Sequence, residues 1–414
     1  MTTGHPKLTV IIPTLNRPET LAHTLATVVN QDYTNYSILV SDNYSEADVK
    51  TVVEKFNDNR ITYVRTPERL SMSHHWEFVL KRVEEGFVTI LGDDDGLLPG
   101  SLSRVAAMLT KHKDIEAIGW RFANFNWKGL PPHFMIPMGN YYRLVDAKKE
   151  IERIFQLSAY STIQFPSLYG GFISIDLIKR LREKFNGQFF HSRIPDFFSG
   201  ALVAASVSKY IRCEFPLSIN ATSKYSTGFA TISSKNDQTA FNSLRSNTSN
   251  NIPFHSKLIF IRSNAVPITE AMLQVHDLVP SFPSADLHKL IKEVINEAST
   301  VDAKEMYDEL TVGIREIARI NNISEFCEQQ IAAGNYNPQT YKVKQKFSPV
   351  SNTIYFNTTN SSVNTVQDAC AVVSNIIPAK QCMANAALGE YYSKFVSVVR
   401  YCRFKLFSEY KSFI

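Results

Sequence analysis

The chain has 414 residues, more than one hydrophobic core of ordinary size accommodates, so two domains are expected. Its 44% hydrophobic and 20% charged residues are those of a soluble globular protein and exclude wholesale disorder or a membrane-embedded body. A net charge of +5, with Lys and Arg interspersed among Asp and Glu, offers no basic stripe for nucleic acid but suits an anionic small molecule.

From the N-terminus, Lys7 to Pro13 (KLTVIIP) is a short β-branched run between turn formers and reads as a buried parallel strand. Leu21, Leu25, Val28 and Val29 then recur at helical spacing. Strands are expected again over Ser37–Val40, Ile61–Val64 and Phe87–Leu91, with helices near Ala47–Phe56 and Trp76–Val83 between them. Such alternation implies right-handed βαβ crossovers and a mainly parallel sheet flanked by helices. Ligands of these sheets sit beyond the carboxyl ends of the strands. Three polar clusters fall there: Thr14-Leu15-Asn16-Arg17, Asp42-Asn43 and Asp93-Asp94-Asp95.

Further on, IGWRFANF (118–125) is strand-like, Ala147–Leu157 is helical, and Gly170-Gly171 precedes FISIDLIKRL. The polar stretch Ser218–Ser234 reads as a flexible loop and a domain boundary. This divides the chain into residues 1–230 and a mostly helical region, 231–414, with amphipathic helices over Ser284–Ala298 and Ala303–Ile320. Ser348–Thr365 is expected to be a loop between helices. Five widely spaced cysteines, without a CxxC pair, point away from a disulfide framework or structural zinc and toward a reducing, cytoplasmic setting. No secretory signal or membrane-length apolar run is evident.

Asp93-Asp94-Asp95 carries the strongest chemical signal. Three carboxylates after an apolar strand repel one another unless a cation or hydrogen-bond donors compensate, and oxygen ligands suit Mg²⁺ or Mn²⁺. A solvated acidic turn before the helix that follows Pro99 is the plain alternative.

Taken in order, PTLNRPETLAHTLATVVNQDYTNYSILVSDNYS and GFVTILGDDDGLLPGSL resemble the donor half of family 2 inverting glycosyltransferases, over roughly residues 7–110 and more weakly to about 230. The resemblance implies a GT-A fold, with a donor half at about 7–110 and an acceptor half at about 111–230. It assigns Pro13, Thr14, Asn16, Arg17, Asp42, Asp93 and Asp94 to the nucleotide sugar, and Asp94 with Asp95 to a divalent metal, Mn²⁺ or Mg²⁺. Gly92 stands where many relatives have the first Asp of the DXD motif, which leaves the register within 93–95 open. Asp42 suits a uracil N–H; an Asx turn is its alternative. His74 and His75 read as packing and capping groups, since a pair without a third ligand is weak evidence for metal.

Inverting transfer needs a base to take the acceptor hydroxyl proton. Asp196, in RIPDFF, resembles the family's acidic motif that opens a helix under the acceptor, although Pro195 replaces its first acidic residue. Its alternative is a favourable charge at a helix start. The implied function is inverting transfer from a nucleoside-diphosphate sugar to a glycan, lipid-linked or other hydroxyl acceptor, in bacterial surface polysaccharide or glycoconjugate synthesis. UDP is favoured by family frequency, and no residue excludes GDP or dTDP.

A dinucleotide-dependent oxidoreductase is disfavoured because the first turn, PTLNR, lacks the glycines that admit a pyrophosphate. A sugar-phosphate nucleotidyltransferase would need a Gly-rich activating loop near residue 14. A catalytically inactive glycosyltransferase-like binding module is the rival of another class, and the carboxylates at the expected places count against it. In the tail, Tyr391–Ile414, aromatics interleaved with Lys and Arg suit a peripheral membrane helix, a homo-oligomer contact or a buried helix.

Overall fold

The computed structural model describes residues 5–157, 165–226, 251–301, 303–334, 336–337, 346–348, 351–359, 361–377 and 384–385. β1 (Leu8–Thr14) shows why the first expected strand forms: Leu8, Val10 and Ile12 enter one core, Ile11 the other, and all four are fully buried. Burial on both faces is characteristic of a parallel central strand. α1 (Pro18–Val29) opens with Pro18, whose fixed φ suits a first helical turn, and buries Leu21, Leu25 and Val28.

β2 (Tyr36–Asp42), α2 (Val49–Glu54), β3 (Ile61–Arg65), α3 (Met72–Leu80) and β4 (Phe87–Ile90) continue the alternation. α3 begins earlier than the expected Trp76 because the Ser71 hydroxyl accepts the His74 N–H and caps it. β1 pairs in parallel with β2 and β4, and β2 with β3, so the carboxyl ends of four strands share one edge.

β5 (Gly96–Leu97), α4 (Ser101–Lys111), β6 (Ala117–Trp120), β7 (Ala123–Asn126), β8 (Phe134–Pro137), β9 (Tyr141–Asp146) and α5 (Ala147–Phe155) follow. Next come β10 (Gly171–Ser174), α6 (Ile175–Lys184), α7 (Pro195–Ser206), β11 (Lys209–Cys213) and β12 (Ser218–Thr222). The strand expected over 118–125 is two strands, which part at Arg121-Phe122 and join different sheets. Ser218–Thr222, expected in a loop, is paired: β12 runs parallel to β7 and antiparallel to β5.

The C-terminal region contributes α8 (Ala265–Leu278), α9 (Leu287–Thr300), α10 (Lys304–Ile320), α11 (Ser324–Ala333), β13 (Lys346–Ser348), β14 (Thr353–Phe356), α12 (Val366–Ile376) and β15 (Ala384–Asn385). It is mostly helical, as expected, but Ser348–Thr365 is not simply a loop. β14 pairs with β13 and β8, giving a second sheet ordered β13-β14-β8-β7-β12-β5. The main sheet is ordered β15-β9-β11-β6-β10-β4-β1-β2-β3, and β10 is antiparallel to both β4 and β6.

One core joins α3, α5, α6 and α7 to α8–α11; the other joins α1, α4 and the second sheet to α12. The two cores cover opposite faces of the main sheet, and each draws residues from both sides of residue 230. The tail Tyr391–Ile414 lies outside the described residues. No helix among the described residues is long and apolar enough to cross a membrane.

Candidate active site

The expected clusters meet at the carboxyl edge of β1–β4. After β1, Asn16 has φ 58°, its N–H donates to Ser45 Oγ, and its Oδ1 accepts the Glu46 and Ala47 N–H groups at 2.7 and 3.1 Å. Asn16 therefore ties the first loop to the second, an arrangement that a short amide side chain in the left-handed region supports. Pro13 is half-buried in β1 beside Ser41.

Asp42 is fully buried at the end of β2. Its Oδ1 accepts the Ser45 N–H at 2.8 Å, and its Oδ2 accepts the Tyr63 hydroxyl at 2.6 Å and Arg65 at 3.2 Å. Asp42 thus closes the turn after β2 through an N–H three residues on, and Tyr63 and Arg65 are partners that the motif does not reveal. A cleft of about 560 Å³ opens beside them, lined among others by Leu15, Asn16, Tyr44, Ser45, Arg65 and Arg69. The Arg65 guanidinium lies 4.8 Å from the Tyr44 ring centroid. Asp93–Asp95 and Asp196 do not line that cleft.

The acidic turn resolves into three environments. Asp93 accepts the Thr14 hydroxyl at 2.7 Å and Arg17 at 2.9 Å. Burial opposes the charge of Arg17, but Asp93, Asp94 and Asp95 together raise its pKa, so a guanidinium stays charged at the turn. Asp94 Oδ2 accepts Ser223 Oγ at 2.6 Å and Ser226 Oγ at 2.7 Å, and its carbonyl accepts the Trp127 indole N–H at 2.9 Å. Arg17 also donates to the Tyr225 carbonyl at 2.5 Å.

Asp95 is 1% exposed. Its Oδ1 accepts the Ala221 N–H at 2.7 Å, and its Oδ2 accepts the Gly92 N–H at 3.0 Å and the Tyr169 hydroxyl. Burial, then the neighbouring Asp94 charge, pushes its pKa up to about 8. Both oxygens are engaged by donors of the protein itself, and through Ala221 Asp95 fastens the turn to β12.

Gly92 makes that fastening possible, because a Cβ built there would lie 2.6 Å from Asp95 Oδ2. The departure from the DXD pattern thus has a steric cause. Gly92→Ala is expected to destabilise the fold by about 1–3 kcal/mol, the usual cost of overpacking. Urea unfolding checks this, and an unchanged midpoint would show that the turn yields.

His75 is buried against Ser41 Oγ at 2.8 Å, and burial lowers its pKa to about 4. His74 meets Ser71 Oγ at 2.7 Å. Both are therefore packing or capping groups, as expected. Gly170 has φ 87°, and a Cβ there would meet the Phe122 ring at 2.0 Å. The sharp turn it allows presents Tyr169 to Asp95.

Asp196 occupies the first turn of α7 beyond Pro195, and its Oδ1 is buried without a hydrogen-bond partner. Burial raises its pKa to about 6, against the lowering effect of the helix-start N–H groups. Its charge helps to raise the pKa of the buried Tyr169 hydroxyl, the same hydroxyl that donates to Asp95. Among the described residues no group of three or more His, Cys, Asp and Glu side chains could hold a metal ion. Asp94 alone still fits the ions that bind through one or two carboxylates together with substrate phosphate oxygens.

A mixed α/β sheet with an acidic turn at the carboxyl edge of its parallel strands defines the GT-A class. Residues 9–168 match the model of "Glycosyl transferase family 2", so the acidic turn lies within the matched part of the chain. It is 39% identical over 101 residues to the GalNAc(5)-diNAcBac-PP-undecaprenol beta-1,3-glucosyltransferase of Campylobacter jejuni, covering 24% of this chain and 33% of the relative. It is 24% identical over 118 residues to the UDP-Glc:alpha-D-GlcNAc-diphosphoundecaprenol beta-1,3-glucosyltransferase WfgD of Escherichia coli, covering 28% and 45%. The matches thus span between a third and just under half of these relatives' lengths. Among solved structures, S. aureus TarS 1-349 in complex with UDP-GlcNAc is similar at TM-score 0.47 and 14% identity, over 80% of this chain and 89% of that one.

Proposed function

We propose that the chain is an inverting glycosyltransferase that moves a sugar from a nucleoside-diphosphate sugar, with UDP favoured, to a hydroxyl of a glycan or lipid-linked acceptor. The observation that carries this reading is Asp196: a carboxylate whose buried oxygen has no partner and whose charge acts on Tyr169, the residue bonded to Asp95 of the acidic turn. The names of the relatives support a glucosyl donor, one of them UDP-linked, and a diphosphoundecaprenol-linked acceptor. Such acceptors suit peripheral work at the cytoplasmic face of a membrane.

In this reading the cleft beside Tyr44 and Arg65 receives the nucleoside, and Asp42 orients Arg65 toward it. Arg17 and Asp94 face the diphosphate end, where Asp94 would hold Mn²⁺ or Mg²⁺. When bound, that ion supplies positive charge that offsets the charge of the departing diphosphate. Asp196 accepts the acceptor hydroxyl proton as the oxygen attacks the anomeric carbon, and the bond to the diphosphate oxygen breaks on the opposite face.

The test is a thermal-shift screen of nucleotide sugars with and without Mn²⁺. A ligand bound only by the native state at a hundred times its Kd stabilises it by about 2.7 kcal/mol. A shift with a UDP-sugar that depends on Mn²⁺ supports the donor reading. Donor binding without transfer or hydrolysis would favour the inactive binding module.

A pH dependence follows from the same carboxylate. The base must be ionised to work, and its pKa is raised to about 6, so kcat should rise with pH through about 6 and level off above it. On the acid side the fall should be about tenfold per pH unit. A pH–rate profile at saturating donor reads this directly, and a flat profile from pH 5 to 8 would remove Asp196 from the step.

A further inference from the structure

Polar contacts from both halves of the chain converge on residues 188–194, the turn that feeds α7. From α3, Glu77 accepts the Phe189 N–H at 3.1 Å and the Phe190 N–H at 3.4 Å, while Ser73 Oγ donates to the Ser192 carbonyl at 2.6 Å. From α8, the fully buried Glu270 accepts the Ser192 hydroxyl on Oε2. Its Oε1 accepts Gln274 Nε2 at 2.8 Å and the His255 N–H at 3.3 Å. Ser192 Oγ in turn accepts the Ile194 N–H at 3.2 Å.

Ile194 is the N-cap residue of α7, and no side chain caps that helix. Pro195 follows and brings no N–H of its own. The direction of the first turn therefore depends on bonds from outside the helix. Asp196 has the same dependence, since the N–H groups that meet its carboxylate belong to that first turn and its buried Oδ1 has no partner. A carboxyl removed from water is costly unless it is bonded, and Glu270 sits among apolar residues of α8 with the charge of Arg193, from the same turn, acting on it. Packing α8 against α7 would not by itself call for an acid there.

We propose that Glu270 is a positioning residue for Asp196: through Ser192 Oγ it holds Ile194 and the start of α7, and so aims the Asp196 carboxylate. The C-terminal helices thereby contribute to the transfer step without touching substrate. The inference rests on the reading of Asp196 as base.

Full-length Ser192→Ala, Glu270→Ala and Glu270→Gln are compared with the parent and with Asp196→Asn. Each is assayed for Mn²⁺-dependent UDP release from UDP-glucose and UDP-N-acetylglucosamine, where water takes the acceptor's place, and for UDP affinity by calorimetry. Both alanine variants should lower kcat tenfold or more, with donor KM and UDP affinity within twofold of the parent. Their combination should be no slower than the worse single variant, because they break one relay. Glu270→Gln keeps an oxygen for the Ser192 hydroxyl and should recover most of the rate. It also decides the matter, with Ser192→Ala, where Glu270→Ala does not fold. Unchanged kcat in the relay variants, while Asp196→Asn is inactive, overturns the inference and spares the base. A parallel loss of kcat and UDP affinity also overturns it, by showing general loosening. An Asp196→Asn variant as fast as the parent, or a parent inactive on both donors, removes the underlying reading and the inference with it.

Discussion

Asp94→Ala should abolish cation-dependent donor binding and leave the chain folded. Asp94 differs from its neighbours in what it is bound to: Asp93 is held by Thr14 and Arg17, Asp95 by two backbone N–H groups and Tyr169, and Asp94 by two serine hydroxyls. Hydroxyl rotors can turn away from a carboxylate, whereas backbone N–H groups cannot. Asp94 is thus the member of the triplet most able to accept a cation. Its loss should not unfold the turn, since Ser223 and Ser226 already contact one another, through the Ser223 N–H to Ser226 Oγ at 2.8 Å. With the carboxylate gone, UDP affinity in Mn²⁺ should fall on the order of a hundredfold, or about 2.7 kcal/mol, to the value that the parent shows in EDTA. Calorimetric titration of UDP under both conditions reads the difference. Retention of the Mn²⁺ effect would move the assignment to Asp93. Asp95→Asn is the control, because a carboxyl whose two oxygens are already taken by Ala221, Gly92 and Tyr169 should leave cation dependence in place when it is replaced.

The strand–helix alternation of the first hundred residues was legible because each element carries its own period: Leu8, Val10 and Ile12 against Ile11 in β1, and Leu21, Leu25 and Val28 in α1. The three polar clusters were legible for a related reason, since a parallel sheet delivers successive strand ends to one edge. What each aspartate does there was not, because its partners lie far away in the chain. Asp95 depends on Tyr169 and Ala221, and Asp94 on Ser223 and Ser226. Ser218–Ser234 reads as a loop since it is poor in large apolar residues, yet its first five residues form a strand paired on both sides. The return of β14 and α12 to the N-terminal half leaves as little trace in the sequence: β14 is four residues long and pairs with β8 from over 200 positions away. Gly92 was visible as a departure from a motif, and only the position of Asp95 Oδ2 gives it a cause.

Asp196→Asn should leave donor affinity as it is and lower transfer at least a hundredfold, about 2.7 kcal/mol of barrier. Two readings of Asp196 predict different outcomes. If its carboxylate serves only as a favourable charge at the start of α7, asparagine keeps the size and the polar oxygen, and stability should change by no more than about 1 kcal/mol while the rate is preserved. The structure weighs against that role, because Oδ1 is buried and unpartnered and burial raises the pKa to about 6. An acid placed to stabilise a helix gains from being ionised, and its pKa falls; here burial outweighs the helix-start N–H groups and the net shift is upward. A pKa near 6 leaves the group ionised at pH 7 yet basic enough to take a proton from a hydroxyl whose oxygen is forming a bond. Asparagine has no such capacity. The decisive comparison is kcat against UDP affinity for parent and variant in one buffer at pH 7.5: a hundredfold loss in the first with none in the second identifies the base, and equal rates return Asp196 to its place as a helix-start residue.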